Sequence, residues 1–278
     1  PQYKKIVNCF RKISKLLIRM TKNTRDLTFQ IDKQGNECYN LPCRSVCTET
    51  TKLFETEDIF MAKVRVGVAG YGTIGQRLAD GVAMQGDMEL VGIADLAPTL
   101  AIRALRENDM VVANNVKYNL YLVGGADKGK FDALDIPVAG SFEDLCGKVD
   151  IMLDSSPGGV GAKNKELYEK MGVKAIFQGG EKNSVADVFF HGYANYEKGL
   201  GQNYLKLTSC NTTGLIRTVD CLDRAVGVEK VAITIIRRVA DPGDYHRGLT
   251  NALQIDKAPS HQAVDLMTIM PHVEATGI

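Results

Sequence analysis

From residue 61 onward the chain alternates two kinds of apolar pattern. "KVRVGVAG" is a short, nearly continuous apolar run closed by a glycine, as a buried strand requires. In "TIGQRLADGVAMQ" the apolar residues recur at three- and four-residue steps, which predicts a helix. "MELVGIAD" is a second strand and "APTLAIRALREN" a second helix. "YNLYLVG", "VDIMLDSSP", "VKAIFQGG" and "NYLKLTS" add strands, with "NKELYEKMG" a helix between two of them. Alternation at these lengths predicts an α/β fold, a doubly wound parallel sheet with helices on both faces. After residue 227 the rhythm changes. "EKVAITIIRRVA" predicts one long strand and "DPGDYHRGLTNALQIDKAPSHQA" an extended polar stretch, followed by "VDLMTIMPHVEATGI". That change predicts a second, partial α+β domain beginning near the helix after "TSC".

Residues 1–60 follow neither pattern. They contain a single glycine, Gly35, of the chain's 27, and four of its seven cysteines, Cys9, Cys38, Cys43 and Cys47. Ile6, Phe10, Ile13, Leu17 and Met20 trace one face of a helix, ringed by Lys4, Lys5, Arg11, Lys12, Lys15 and Arg19. A basic amphipathic helix of this kind is a solvated element apart from the main domain, or rests on an anionic surface or a partner. The low acidic content also fits a transit peptide. Cys38, Cys43 and Cys47 lack the paired C-x2-C spacing and nearby histidine of ordinary zinc sites, so no metal is expected there. Met61 stands directly before the first strand and reads as the natural start, leaving residues 1–60 as an extension outside the main fold.

Bulk properties narrow the function classes. A chain of 278 residues with 45% hydrophobic content can bury a sizeable core and divide into two domains. A formal net charge of +1 argues against nucleic acid or a membrane surface as partner. No apolar run approaches the roughly 18 residues of a spanning helix. Seven scattered cysteines in a chain of this size read as reduced thiols in a cytoplasmic protein.

Between the first strand and first helix, "GVAGYGTIGQRLA" sets Gly70, Gly72 and Gly75 in the spacing G-x-G-x-x-G. The first glycine serves a tight turn, the second admits a pyrophosphate to the backbone, and the third lets helix pack on strand. The helix N-terminus then faces the phosphates. Asp95 ends the second strand, 20 residues after Gly75, where a carboxylate receives the hydroxyls of an adenosine ribose. The pattern alone is weak, but its position between strand and helix predicts a dinucleotide-binding domain over residues 61–209. Asp95 also favours NAD over NADP, because it would repel a 2′-phosphate.

Cys210, in "TSCNTTG", lies where a strand ends and a helix begins. A helix N-terminus favours a thiolate, and its free N–H groups can hold an oxyanion. Cys146 and Cys221 fall within apolar helical patterns and read as packing. A thiolate adds to an aldehyde to form a thiohemiacetal; hydride loss leaves a thioester that water or phosphate can capture. A cysteine nucleophile beside a dinucleotide fold therefore points to aldehyde oxidation through an acyl-enzyme. Arg237 and Arg238, with His246 and Arg247 nearby, either bind phosphate or form a solvated strand end. His261, in "PSHQ", either meets substrate or satisfies a backbone carbonyl.

"GYGTIG", "QGGEK", "SCNTTG", "RRVADP" and "PSHQ" occur in one order from Met61 to Ile278. In these motifs the chain resembles the archaeal-type (type II) phosphorylating glyceraldehyde-3-phosphate dehydrogenases. The resemblance implies a Rossmann domain, a catalytic domain beginning at residue 210, a homotetramer, and a role in glycolysis or gluconeogenesis. It implies Cys210 as nucleophile, and Ser209, Asn211, His261 and Gln262 at the substrate, glyceraldehyde 3-phosphate, with inorganic phosphate as acceptor. Relatives often carry a second histidine where Gln262 stands. Thr73, Ile74, Gly180 and Arg237 would contact NAD or NADP. The family has no counterpart to residues 1–60, and its catalytic domain, general-base histidine and returning helix continue beyond Ile278, so residues 210–278 read as an incomplete domain. Two other readings remain: a different thioester dehydrogenase, of the aspartate-semialdehyde or N-acetylglutamyl-phosphate reductase type, or a dinucleotide-binding redox sensor whose Cys210 is not catalytic.

Overall fold

A computed structural model describes residues 62–111, 113–178, 180–236 and 258–278. The basic pattern of residues 1–60, the Cys38, Cys43 and Cys47 group, Met61, Arg237, Arg238, His246 and Arg247 lie outside the described residues.

The first half runs β1 (Val64–Ala69), α1 (Thr73–Ala83), β2 (Met88–Asp95), α2 (Leu100–Glu107), β3 (Asn119–Leu122), α3 (Lys128–Asp132), β4 (Gly140–Ser141) and α4 (Phe142–Cys146). It continues with β5 (Ile151–Asp154), α5 (Val160–Met171), β6 (Lys174–Phe177), β7 (Val188–Phe190) and β8 (Tyr204–Leu207). Then come α6 (Cys210–Val226), β9 (Lys230–Ile233), α7 (His261–Ile269) and β10 (Glu274–Gly277).

Strands β1 to β8 form one sheet in the order β4-β3-β2-β1-β5-β6-β8-β7, and every neighbouring pair is parallel. From β1 the chain builds outward through β2 to β4, then crosses to the other side of β1 to begin β5. This reversal opens a crevice beyond the carboxyl ends of β1 and β5, where ligands bind in sheets of this kind.

Period-two alternation divides the core between the two faces. Ile151 and Leu153 of β5 and Ile176 of β6 join one cluster with Leu78, Ile102, Leu120 and Phe131. Their neighbours Met152, Ala175 and Phe177 join the other, with Phe142, Leu145, Tyr168 and Tyr204. Strands buried on both faces must read as unbroken apolar runs, and these do. A third cluster joins Ile216 and Val219 of α6 to Leu266 and Ile269 of α7 and to Ile233, Val273 and Ala275. Beside it, β9 pairs in parallel with β10.

Three expectations need correction. Among its described residues, "EKVAITIIRRVA" is regular strand over Lys230–Ile233, where it pairs with the four-residue β10. The polar stretch does not stay extended to Ala263. Ser260, in extended backbone, starts a helix at His261, and its carbonyl accepts from the N–H groups of Ala263 and Val264. Cys221 is exposed, not packed, whereas Cys146 is buried and its thiol is pushed up to about 12 by burial, with Glu143 and Asp154 adding to the shift.

Candidate active site

The glycine turn after β1 is built by contacts that exclude side chains. Gly70 has φ +81°, and a Cβ there would stand 3.2 Å from the Ser155 and Ser156 backbone. Gly75 presses on the turn itself: a Cβ would run into the Gly70 carbonyl oxygen. Gly72 differs, since a Cβ there would meet nothing within 4 Å. It is the N-cap of α1 and makes no side-chain cap, and Thr73 and Ile74 after it are exposed. The first turn of α1 therefore presents its backbone to open space above the crevice. That is the shape and polarity a pyrophosphate needs, so the residues present fit a dinucleotide.

Asp95 is brought to this turn, but with a duty the sequence did not reveal. Its Oδ2 accepts the Tyr71 N–H at 2.8 Å and its Oδ1 the Leu96 N–H at 2.7 Å. The carboxylate thus clamps the glycine turn to the end of β2. From the other side the Ser155 hydroxyl contacts the Gly70 carbonyl at 2.7 Å and that of Ala69 at 3.0 Å. Beneath the turn, the buried Tyr71 and Tyr118 hydroxyls meet at 2.7 Å, and burial raises the pKa of both phenols.

Further along the same edge, the loops after β5 and β6 touch: a Cβ on Gly158 would lie 2.9 Å from the Gly180 carbonyl. Gly180 is exposed there. Gln178, just before it, is buried, and its Nε2 has no hydrogen-bond partner among the described residues. Buried Lys206 of β8 donates to the Leu207 carbonyl at 2.7 Å. Burial lowers its pKa, and the Asp265 and Glu181 carboxylates act against that shift. Neither Gln178 nor Lys206 carries a distinguishing motif of its own; "QGGEK" was the only local signal for the first.

After β8 the chain reaches Ser209, the N-cap of α6, whose hydroxyl accepts the Thr212 N–H at 3.3 Å. Cys210 is the first residue of this 17-residue helix and is exposed. The cap satisfies one of the N–H groups that a helix start leaves without intrahelical partners. Asn211 is half-buried beside Cys210. Thr212, fully buried, donates its hydroxyl to Asp265 of α7 at 3.2 Å and meets the Ser209 hydroxyl at 2.8 Å. This links the turn that carries Cys210 to the helix that begins with exposed His261 and buried Gln262. Ser209, Cys210, Asn211, His261 and Gln262 therefore lie on two helix starts tied side chain to side chain. The glycine turn and Cys210 stand at one edge of the sheet, since both follow carboxyl ends of parallel strands. Arg237 lies outside the described residues.

Residues 209–277 match the family model described as the C-terminal domain of glyceraldehyde 3-phosphate dehydrogenase. Over 219 residues the chain is 44% identical to "Glyceraldehyde-3-phosphate dehydrogenase 1" of Methanosarcina acetivorans, covering 78% of this chain and 63% of that one. The chain is homologous to the archaeal glyceraldehyde-3-phosphate dehydrogenases. The Pyrococcus abyssi glyceraldehyde-3-phosphate dehydrogenase is 46% identical over 211 residues, 75% of this chain and 60% of that enzyme. The chain thus spans under two thirds of the length of these glyceraldehyde-3-phosphate dehydrogenases. Among solved structures, aspartate semialdehyde dehydrogenase II from Vibrio cholerae aligns over 78% of this chain and 66% of its own, at a TM-score of 0.44 and 15% identity. Among the described residues no helix is long and apolar enough to cross a membrane.

Proposed function

We propose that this protein oxidises D-glyceraldehyde 3-phosphate, with inorganic phosphate, to 1,3-bisphosphoglycerate through a thioester on Cys210. The observation that carries this reading is the exposed thiol at the first residue of α6, at the same sheet edge as the glycine turn. Identity of 44% to a named glyceraldehyde-3-phosphate dehydrogenase supports the choice of substrate.

The chemistry assigns each residue a task. The Cys210 thiolate attacks the aldehyde carbon, and the carbonyl π electrons move to oxygen, giving a thiohemiacetal. Backbone N–H groups at the start of α6 face the negative oxygen. A nicotinamide dinucleotide held at the glycine turn supplies the acceptor for the hydride. As hydride leaves the carbon, a lone pair on the negative oxygen re-forms the carbonyl, and the product on Cys210 is a thioester; the proton released overall is the one the thiol gave up on becoming a thiolate. Phosphate oxygen then attacks the thioester carbon, and the Cys210 sulfur departs as thiolate, releasing the acyl phosphate. Ser209, Asn211, His261 and Gln262 orient substrate and phosphate from the two tied helix starts. Gly70, Gly72, Thr73, Ile74 and Gly75 would receive the pyrophosphate, and Gly180 and Arg237 would contact the dinucleotide as well. Asp95, already clamping the glycine turn, offers its remaining lone pairs to the ribose and favours NAD over NADP. Residues 61–209 form the dinucleotide domain and 210–278 belong to the catalytic domain of a cytoplasmic homotetramer.

Cys210→Ser tests the reading. A hydroxyl is a far weaker nucleophile at neutral pH. Phosphate-dependent NAD(P)H formation from glyceraldehyde 3-phosphate should disappear, while dinucleotide binding measured by calorimetry persists. Retention of most of the rate would refute the thioester.

A further inference from the structure

His191 plays no part in the chemistry above, yet it is buried and holds two segments together. It follows β7, whose last residue Phe190 lies opposite Leu207 of β8. Its Nδ1 faces the backbone N–H groups of Tyr193 at 3.4 Å and Ala194 at 3.3 Å. A nitrogen facing two donors must be the unprotonated one, so the proton resides on Nε2. Nε2–H then donates to the Thr213 carbonyl at 3.2 Å, in the first turn of α6, three residues after Cys210. Asn195 locks the turn from behind: its Oδ1 accepts the His191 N–H at 2.7 Å and its Nδ2 donates to the Phe189 carbonyl at 2.9 Å. The neutral ring suits its surroundings. Burial lowers the His191 pKa and the nearby Arg217 lowers it further, against the Thr213 carbonyl and Asp220.

We propose that His191 is a positioning residue for Cys210: its Nε2–H bond to the Thr213 carbonyl fixes the first turn of α6, the helix start on which the sulfur is carried. The inference rests on the reading of Cys210 as the working thiol, but not on turnover. Without this strut the first turn of α6 keeps the Ser209 cap, the Thr212 bond to Asp265 and the contacts of the Thr213 hydroxyl with Thr208, but the Thr213 carbonyl loses its imidazole donor. The thiolate then loses part of its stabilisation.

The chain carries its own internal reference. Cys221 is exposed on the same helix, eleven residues beyond Cys210. Iodoacetamide alkylation of the full chain, resolved by peptide mass spectrometry across pH, reads both thiols in one sample. In His191→Leu, alkylation of Cys210 near pH 7 should slow by about two- to tenfold, the range one net hydrogen bond commands. Its pH profile should move to higher pH, and Cys221 should be unchanged. His191→Gln, whose amide can still donate to Thr213, should bring Cys210 back to the wild-type profile. An unmoved Cys210 profile, or acceleration of both cysteines together, would overturn the proposal; the second result would mean only a loosened fold. If His191→Leu does not fold, Asn195→Ala takes its place, because it releases the turn and leaves the imidazole. It should give a smaller shift at Cys210 alone, and no shift would again overturn the proposal. Absence of aldehyde turnover in the wild-type protein, with the Cys210 difference between wild type and His191→Leu still present, would count against the dehydrogenase reading instead.

Discussion

Two glycines three residues apart do opposite things. Gly75 has no room for a methyl group, and the obstacle is the Gly70 carbonyl, a backbone atom that cannot swing aside. A methyl group on Gly72 would enter open space. Gly75→Ala should therefore cost about 1–3 kcal/mol of stability, as overpacking does, and loosen the turn as well. Gly72→Ala should change stability by no more than about 0.5 kcal/mol, yet weaken dinucleotide affinity, since its Cβ enters the space left for pyrophosphate. Paired Tm and calorimetric titrations would separate the two; equal Tm losses would contradict the assignment. The glycine pattern was legible because the turn makes a local demand on residue type. His191 was not legible. In "VFFHGYANY" nothing marks it, and its importance comes from Thr213, a partner 22 residues away. Cys221 misled for a geometric reason. The buried line of α6 passes through Ile216 and Val219, and at about 100° per residue Cys221 is turned roughly 200° from Val219.

At the level of elements, the strands with unbroken apolar runs were read correctly because burial on both faces dictates their composition. The helices α3 and α4 were missed, being five residues each and too short to show a period. What defines α4 is its capping: the Ser141 hydroxyl accepts the Asp144 N–H at 3.2 Å while the Asp144 carboxylate accepts the Ser141 N–H at 2.8 Å. The start of α7 was misplaced by the polar composition before it, although Ser260 stands at the N-cap. The bond from Thr212 to Asp265 joins α6 to α7 and should behave as an interaction with a charged acceptor. Thr212→Val should cost about 1–3 kcal/mol and speed backbone hydrogen exchange in α7, with β1, β2 and β5 unaffected. Uniform acceleration across the sheet would show that the bond is not local to the helix pair.

For the whole molecule, burial of neutral His191 makes stability depend on pH. Its pKa in the fold lies below the ordinary 6.5, so the unfolded chain takes up the proton more readily. The stabilisation from His191 is complete above pH 6.5 and is lost as pH falls from there toward the folded value. Tm measured between pH 7.5 and pH 5 should fall on the acid side, and His191→Gln should make that fall shallower. An identical slope in both proteins would place the acid sensitivity elsewhere. The order of strands has a consequence of another kind. Among the described strands β1 is the first to leave the ribosome, and Val66 waits for Ile151 to complete its pairing on the far side. Until then β1 to β4 can assemble only half a sheet, with one flank of β1 unsatisfied and its apolar residues within reach of other chains. β8 repeats the problem on a smaller scale, since β7 precedes it in the chain and joins the sheet only through β8, which pairs with β6 on its other side. Assembly of this protein is therefore governed by long loop closures late in synthesis, which makes its folding slow and its nascent chain dependent on protection from aggregation.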